Sequence, residues 1–243
     1  MTIPAPSTFN NKGIERIEHN GPNGIGLSEW ETMDPKKLAS GNPVQHGYMY
    51  DELEDQGYSA GVWDCTAFDD LPGAYPVDEY MFLLEGQIIM VMPDGTQTII
   101  KQGEAFIIPK GLECQWKMPG YVRKIFMILD LNNEPTTANR SLDCITKPDL
   151  ESIKSADQQA LIHSNVLFAN ADARMLVKRQ DFQADISIAS HAGTRQVVTV
   201  LKGVINIEQN TYSAGDSFYV HETSNCKWDI KAGTQLIQAS FVA

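Results

Sequence analysis

The sequence has 243 residues, of which 42% are hydrophobic and 21% are charged, a balance typical of a soluble globular protein. The formal net charge of -12 and the pI near 4.8 argue against a nucleic-acid partner, because phosphate backbones favour clustered Lys and Arg. The N-terminal stretch MTIPAPSTFNNKG has no signal-peptide pattern, and every apolar run is shorter than a membrane span. We therefore expect a cytoplasmic protein with neither a nucleic-acid nor a membrane partner.

Four cysteines, Cys65, Cys114, Cys144 and Cys226, are spread irregularly along the chain. They are too sparse for a disulfide framework, and no C-x-x-C pair indicates a structural zinc. We interpret them as reduced thiols that pack like small hydrophobic side chains.

The residue composition of the first half of the chain changes near residue 50. Residues 1–50 are rich in Asn, Gly, Pro and Ser, which predicts an N-terminal arm with one strand near residues 25–30. Residues 51–130 consist of short apolar runs bounded by Gly, Pro or Asp, and Pro93-Asp94-Gly95 has the residues of a hairpin turn. Many short strands with turn signals predict a sandwich or a barrel.

The second half repeats this pattern after a break. Residues 131–165 predict a linker with a short helix that begins near Asp149. In residues 166–243 the short apolar runs typical of strands resume. The segment GEAFIIPKGLECQW, residues 103–116, matches GDSFYVHETSNCKW, residues 215–228, with Gly, Phe, Cys and Trp in register. A repeat of this kind predicts two homologous β domains, 51–130 and 166–243.

The repeated unit resembles the cupin family. Glu79 and Gly86 lie at the spacing of the first cupin motif, and Gly103, Pro109 and Gly111 match the second. The segments GVWDC, YPVDEYMFLLEG and GEAFIIPKG are similar to the subfamily of ethanolamine-utilisation cupins and (S)-ureidoglycine aminohydrolase. The resemblance implies an all-β fold of two tandem double-stranded β-helix domains, RmlC-like jelly rolls.

The metal ligands that the resemblance implies are mostly replaced. In the first domain the motif histidines correspond to Gly73 and Tyr75 or, with the longer spacing, to Pro72 and Ala74. Cys114 stands in place of the second-motif histidine. Glu79 and Cys114 alone are too few ligands for a mononuclear site, so we expect no metal and no other cofactor in the first barrel.

The second domain keeps a different set of residues. Gln196 stands at the motif Glu position, Cys226 at the second-motif His position and His221 at the motif Pro, while His191 precedes Gln196 by five residues. His191 and Cys226 are candidate metal ligands, although an amide is a poor third ligand. Histidines in turns at strand ends also occur without any metal.

A pocket without metal is the alternative use of these positions. Cys114 and Trp116 are two residues apart on one predicted strand and so face the same way, as do Trp63 and Cys65 on another. An aromatic wall beside the carboxylate of Glu79 is suited to a small ligand with an amine or a polarised hydrogen. The candidate ligand-binding residues are Glu79, Trp63, Trp116, Cys114 and Tyr75 in the first barrel, and His191, Gln196, Cys226, Trp228 and His221 in the second.

Charged neighbours of these residues are expected to face solvent. Asp78 precedes Glu79 and therefore points to the opposite face of its strand. Arg123 and Lys124 alternate, so only one of them can reach the interior, and we expect outward salt bridges for both.

Three functions remain open on the sequence. The leading hypothesis is a bicupin that binds a small polar metabolite in its first barrel, with the second barrel serving stability. The alternatives are a metal-dependent enzyme similar to ureidoglycine aminohydrolase, acting on a small nitrogen compound, and a structural or regulatory protein without an open site. Cupins of this kind commonly pair through sheet edges, so we expect a homodimer.

Overall fold

The computed structural model describes residues 13–131, 145–149, 151, 153, 159–190 and 192–243. These residues form β-strands and three short 3-10 helices, Pro22–Gly24, Pro35–Lys37 and Glu54–Gln56. No helix in the described ranges is long and apolar enough to cross a membrane. The predicted all-β architecture is confirmed, whereas the helix predicted from Asp149 onward lies partly outside the described residues.

The first compact unit comprises Glu18–Lys147. Its strands are β2 (Ser28–Glu29), β3 (Leu38–Gly41), β4 (Gln45–Leu53), β5 (Tyr58–Cys65), β6 (Phe68–Asp70), β7 (Gly73–Ala74), β8 (Asp78–Glu85), β9 (Gln87–Val91), β10 (Gln97–Lys101), β11 (Ala105–Ile108), β12 (Glu113–Met118) and β13 (Val122–Leu129). One antiparallel sheet has the order β11-β8-β13-β5-β4-β2. The other has the order β10-β9-β12-β6-β3, with β7 pairing to β12.

The second compact unit comprises Pro148–Ala243 together with the N-terminal segment that ends at Ile17. Its strands are β1 (Ile14–Ile17), β14 (Ile162–Ala169), β15 (Met175–Phe182), β16 (Ile186–Ala189), β17 (Arg195–Lys202), β18 (Val204–Ile207), β19 (Asn210–Ser213), β20 (Ser217–Val220), β21 (Lys227–Ile230) and β22 (Gln235–Phe241). One sheet has the order β1-β20-β17-β22-β15-β14 and the other the order β16-β21-β18-β19.

The region predicted as an N-terminal arm, 1–50, contributes strands to both units. β1 pairs with β20 from Ile14↔Val220 to Ile17↔Ser217, and so extends a sheet of the second unit. β4 pairs along its whole length with β5 and belongs to the first unit. In the predicted linker, β14 starts at Ile162 and pairs with β15.

Each unit has its own core between its two sheets. In the first unit this core includes Trp63, Met81, Leu83, Phe106, Trp116 and Phe126. In the second unit it includes Phe182, Val198, Val200, Phe218, Trp228 and Leu236. Side chains that alternate inward along each strand therefore fill a barrel in each half of the chain, as the repeat predicted.

Glycines of the repeat mark the same strand ends in both units. Gly86 follows β8 with φ +85°, and Gly203 follows β17 with φ +84°. A Cβ at Gly86 would lie 2.2 Å from the carbonyl oxygen of Tyr121, and one at Gly203 would lie 2.6 Å from the Cα of Thr234. These positions need glycine for both backbone conformation and space.

The paired substitutions Gly86→Ala and Gly103→Ala separate these two requirements. Gly103 also has a positive φ, +82°, but a Cβ there would meet nothing within 4 Å. Gly103→Ala should cost about 1 kcal/mol of unfolding free energy, and Gly86→Ala roughly 2 kcal/mol more because of the clash. Urea unfolding measures both, and equal losses would contradict this explanation.

Candidate functional site

The candidate site of the first barrel is built around Glu79. Its side chain lies on β8 on the same face as Met81 and Leu83, which belong to the inner core, and the residue is only 3% exposed. A buried carboxylate is costly unless it is paired and hydrogen-bonded. A role or a hydrogen-bonded partner is therefore expected for Glu79, and the structure contains two partners.

The first partner is Lys124, on β13. Its Nζ lies 2.7 Å from Oε1 of Glu79 and 3.1 Å from Sδ of Met81, and the residue is 7% exposed. The expectation that Lys124 forms an outward salt bridge is therefore wrong. Lys124 faces inward because it pairs with Trp63 of β5, whose side chain also faces the barrel interior.

Two indole rings enclose this ammonium group. The Nζ of Lys124 lies 4.8 Å from the ring centroid of Trp63 and 4.9 Å from that of Trp116. Both distances are within the range of a cation–π interaction, which strengthens when the cation is removed from water. The cation that the sequence analysis expected from a ligand is thus supplied by the chain.

The two tryptophans differ in their hydrogen bonding. The Nε1 of Trp63 donates to Oε1 of Gln45 at 2.9 Å. The Nε1 of Trp116 is buried and has no hydrogen-bond partner in the described part of the chain. A buried indole N–H usually finds an acceptor, so Trp116 offers a donor that a bound molecule could use.

The second partner of Glu79 is Tyr75, whose hydroxyl donates to Oε2. Tyr75 follows β7, and its backbone N donates to the carbonyl of Leu112 at 2.9 Å. Burial raises the pKa of Tyr75 well above its usual value, and the adjacent charge of Glu79 raises it further. Tyr75 therefore stays protonated and acts as a hydrogen-bond donor in this site.

Two neighbouring charges take other roles. Asp78 is 9% exposed, and its Oδ1 accepts a hydrogen bond from the backbone N of Lys110 at 2.8 Å, so the prediction of a solvated Asp78 is wrong. Arg123 pairs with Asp64 at 2.9 Å on the other face of its strand, as expected for the residue beside Lys124.

These residues do not fit the metal ion that the resemblance implies. Glu79 is the single carboxylate among the inward candidates, and the ammonium of Lys124 lies where it would repel a second cation. Among the described residues, no group of three or more His, Cys, Asp and Glu side chains is placed to hold a metal.

The thiols of the first barrel are buried. Cys65 and Cys114 belong to the same core as Trp63 and Trp116. Burial raises the pKa of Cys65 to about 12 and that of Cys114 to about 11, with nearby carboxylates adding to both. The charge of Lys124 lowers the pKa of Cys65, but burial and the charge of Asp64 outweigh it, so neither thiol is an activated nucleophile.

In the second barrel the candidate residues chosen from the sequence lie in different places. Gln196 and Trp228 line one cavity, described below, while Cys226 is 3% exposed within the core. His221 follows β20, and its Nδ1 lies 2.8 Å from Oγ1 of Thr223 in a local turn. His191 lies outside the described residues, so the proposed His191 and Cys226 ligand pair stays a prediction.

Several residues at these sites were missed by the sequence analysis. Lys124 was assigned to solvent, and the cavity residues Lys178, Gln180 and Gln238 were not singled out. Residues 175–182 read MLVKRQDF, in which Lys and Gln alternate with buried Val177, Arg179 and Asp181. A polar alternation of this kind usually indicates a solvated face, so the pattern gave no signal of a cavity.

Thiol labelling tests the burial of this site. In a Cys144→Ser variant, the remaining cysteines are Cys65, Cys114 and Cys226, all buried. Native protein at pH 8 should react with no equivalents of a thiol reagent within minutes, because burial shields all three side chains and the raised pKa values of Cys65 and Cys114 disfavour their thiolates. Unfolded protein should react with three, and rapid native labelling of Cys114 would contradict the closed arrangement.

Comparisons with known proteins agree with this architecture. The model of the EutQ-like cupin domain family matches residues 52–126. No curated protein matches the sequence.

Solved structures extend the likeness to nearly the whole chain. A Pseudomonas syringae pv. tomato protein of unknown function is 18% identical, with a TM-score of 0.66 and coverage of 94% of this chain and 99% of that one. A cupin 2 conserved barrel domain protein from Leptotrichia buccalis is 12% identical, with a TM-score of 0.58 and coverage of 90% and 100%. The bacterial pirin YhhW from Escherichia coli, solved with nickel(II), is 13% identical, with a TM-score of 0.50 and coverage of 94% and 99%.

At these identities the structures share the fold, and the family match adds the domain type. The chain therefore contains a EutQ-like cupin domain at residues 52–126, and its second barrel repeats the strand order of that domain.

Proposed function

We propose that this chain is a cytoplasmic small-molecule-binding cupin whose first barrel binds a small polar metabolite without a metal ion. The observation that carries the proposal is the buried pair of Lys124 and Glu79 between the rings of Trp63 and Trp116. A buried ion pair contributes little net stability compared with apolar side chains of similar size. Its presence at the centre of a barrel therefore favours a binding role.

The internal ammonium changes which ligand the barrel suits. Glu79 is already neutralised by Lys124, so an amine on the ligand gains little from that carboxylate. Lys124 has three N–H donors, of which Glu79 and Met81 accept two. The third, together with the N–H of Trp116, favours a ligand with an acceptor oxygen, either a carbonyl or a carboxylate.

The chain is suited to form a homodimer. Strands at sheet edges, such as β10 and β14, can pair with a strand of a second copy. A binding role is favoured over catalysis because the inward thiols have raised pKa values and Tyr75 is held protonated.

The competing function is a metal-dependent enzyme similar to ureidoglycine aminohydrolase. It gains support from the pirin relative, which was solved with nickel(II). Elemental analysis of untagged protein separates the two functions. The proposal predicts less than a tenth of an equivalent of any transition metal. A stoichiometric metal that is lost with Cys226→Ala would place the enzyme site in the second barrel.

The double variant Glu79→Gln/Lys124→Met tests the ligand site. It replaces the ion pair by neutral side chains of similar size, so the barrel should remain folded. Wild-type protein should gain several degrees of melting temperature from at least one small carboxylate or carbonyl compound at a concentration of about 100 Kd. The double variant should lose that gain for at least one of these compounds.

A matched control is Asp185→Asn/Lys231→Met, which removes an exposed ion pair with a separation of 2.7 Å in the second unit. This control should respond to every compound as the wild type does. If wild type and the Glu79/Lys124 variant respond identically to all compounds, the first barrel is not the ligand site.

A further inference from the structure

The second barrel contains a cavity of about 340 Å³. The inward faces of β15, β17 and β22 form one wall, and Ile188 of β16 and Trp228 of β21 come from the opposite sheet. The volume is near the lower end of the about 300–1,000 Å³ that is typical of ligand pockets. It therefore suits a small metabolite.

Strand register places polar side chains side by side on this wall. Lys178 lies opposite Gln238, and Gln196 lies opposite Ser240. The Nε2 of Gln238 donates to Oε1 of Gln196 at 2.7 Å, and the Nε2 of Gln196 donates to Oγ1 of Thr194 at 2.6 Å. This chain of hydrogen bonds holds the amides in a defined orientation, as a binding site requires.

Two further polar groups on the wall have no such partner. The side chains of Lys178 and Gln180 make no hydrogen bond or ion pair with other described residues, although both are half-buried. Lys178 is also the sole charged residue among the described lining of the cavity. A cavity whose one charge among the described lining is positive favours an anion over a cation.

Trp228 adds an independent observation. It lines the cavity and is 4% exposed, and its Nε1 has no hydrogen-bond partner in the described structure. The corresponding Trp116 of the first barrel has the same unpartnered N–H. Leaving a buried donor without an acceptor is unfavourable, so an acceptor supplied by a ligand would favour binding.

We propose that the second barrel binds a small organic carboxylate, at a site separate from the one in the first barrel. The carboxylate contacts the ammonium of Lys178 and the amide of Gln180, and a second acceptor of the ligand contacts the N–H of Trp228. Phe182, Ile188 and Leu236 contact its carbon skeleton. The cavity lining contains no Asp or Glu among the described residues, so a cationic amine has no counter-charge there.

Titration calorimetry with benzoate, 4-hydroxybenzoate and glycolate, each beside its primary amide, tests this inference. At least one carboxylate should bind, and its amide should bind about tenfold or more weakly because the charge-assisted contact is lost. Lys178→Gln should weaken the carboxylate by a similar factor and leave the amide unchanged. Lys202→Gln, a matched exposed lysine at the end of β17, should have no effect.

Trp228→Phe keeps the apolar wall and removes the N–H, so it should weaken 4-hydroxybenzoate or glycolate by several-fold. The variant Glu79→Gln/Lys124→Met separates the two barrels: carboxylate binding that survives there and fails in Lys178→Gln lies in the second barrel. Three results would overturn the inference: no probe binds the wild type at about 10 mM, an acid and its amide bind with equal affinity, or the Lys178→Gln variant binds the carboxylate as tightly as the wild type does.

Discussion

The interior of the first barrel is organised around one buried ion pair, between Lys124 and Glu79. Removing either charge alone would leave the other uncompensated inside a barrel, which typically costs about 3–5 kcal/mol. The indole rings of Trp63 and Trp116 and the hydroxyl of Tyr75 complete the environment of the pair. Because the cation is covalently part of the chain, the centre of this barrel carries an ammonium group of its own.

Duplication has produced two barrels with one frame and different interiors. The first has a buried polar centre, in which a lysine and a glutamate neutralise each other. The second has an open cavity with three glutamine amides and one lysine, and no acidic residue among its described lining. Both keep a tryptophan with an unpartnered N–H at the equivalent strand position, Trp116 and Trp228. The two barrels therefore share a frame and differ in the charge of their interiors.

The repeated strand pattern of the two barrels could be predicted from sequence because glycine is physically required at the ends of certain strands. Gly86 and Gly203 have positive φ and close backbone neighbours, so both copies of the repeat have glycine at this strand end. The orientation of Lys124 could not be predicted, since both faces of β13 are mostly buried and a register shift relative to β8 falls between Arg123 and Lys124. Strand alternation shows that neighbours face opposite ways, but not which of them faces inward.

The most direct test of the central claim is the NMR signal of the Lys124 ammonium in protein labelled with 15N-lysine. Enclosure by two ring faces and a hydrogen bond to Glu79 predict ammonium protons that exchange slowly with water and resonate upfield of exposed lysines. This signal should be absent from the Glu79→Gln/Lys124→Met variant and present in Asp185→Asn/Lys231→Met. A wild-type spectrum that contains only the fast-exchanging signals of solvent-exposed lysines would contradict the account.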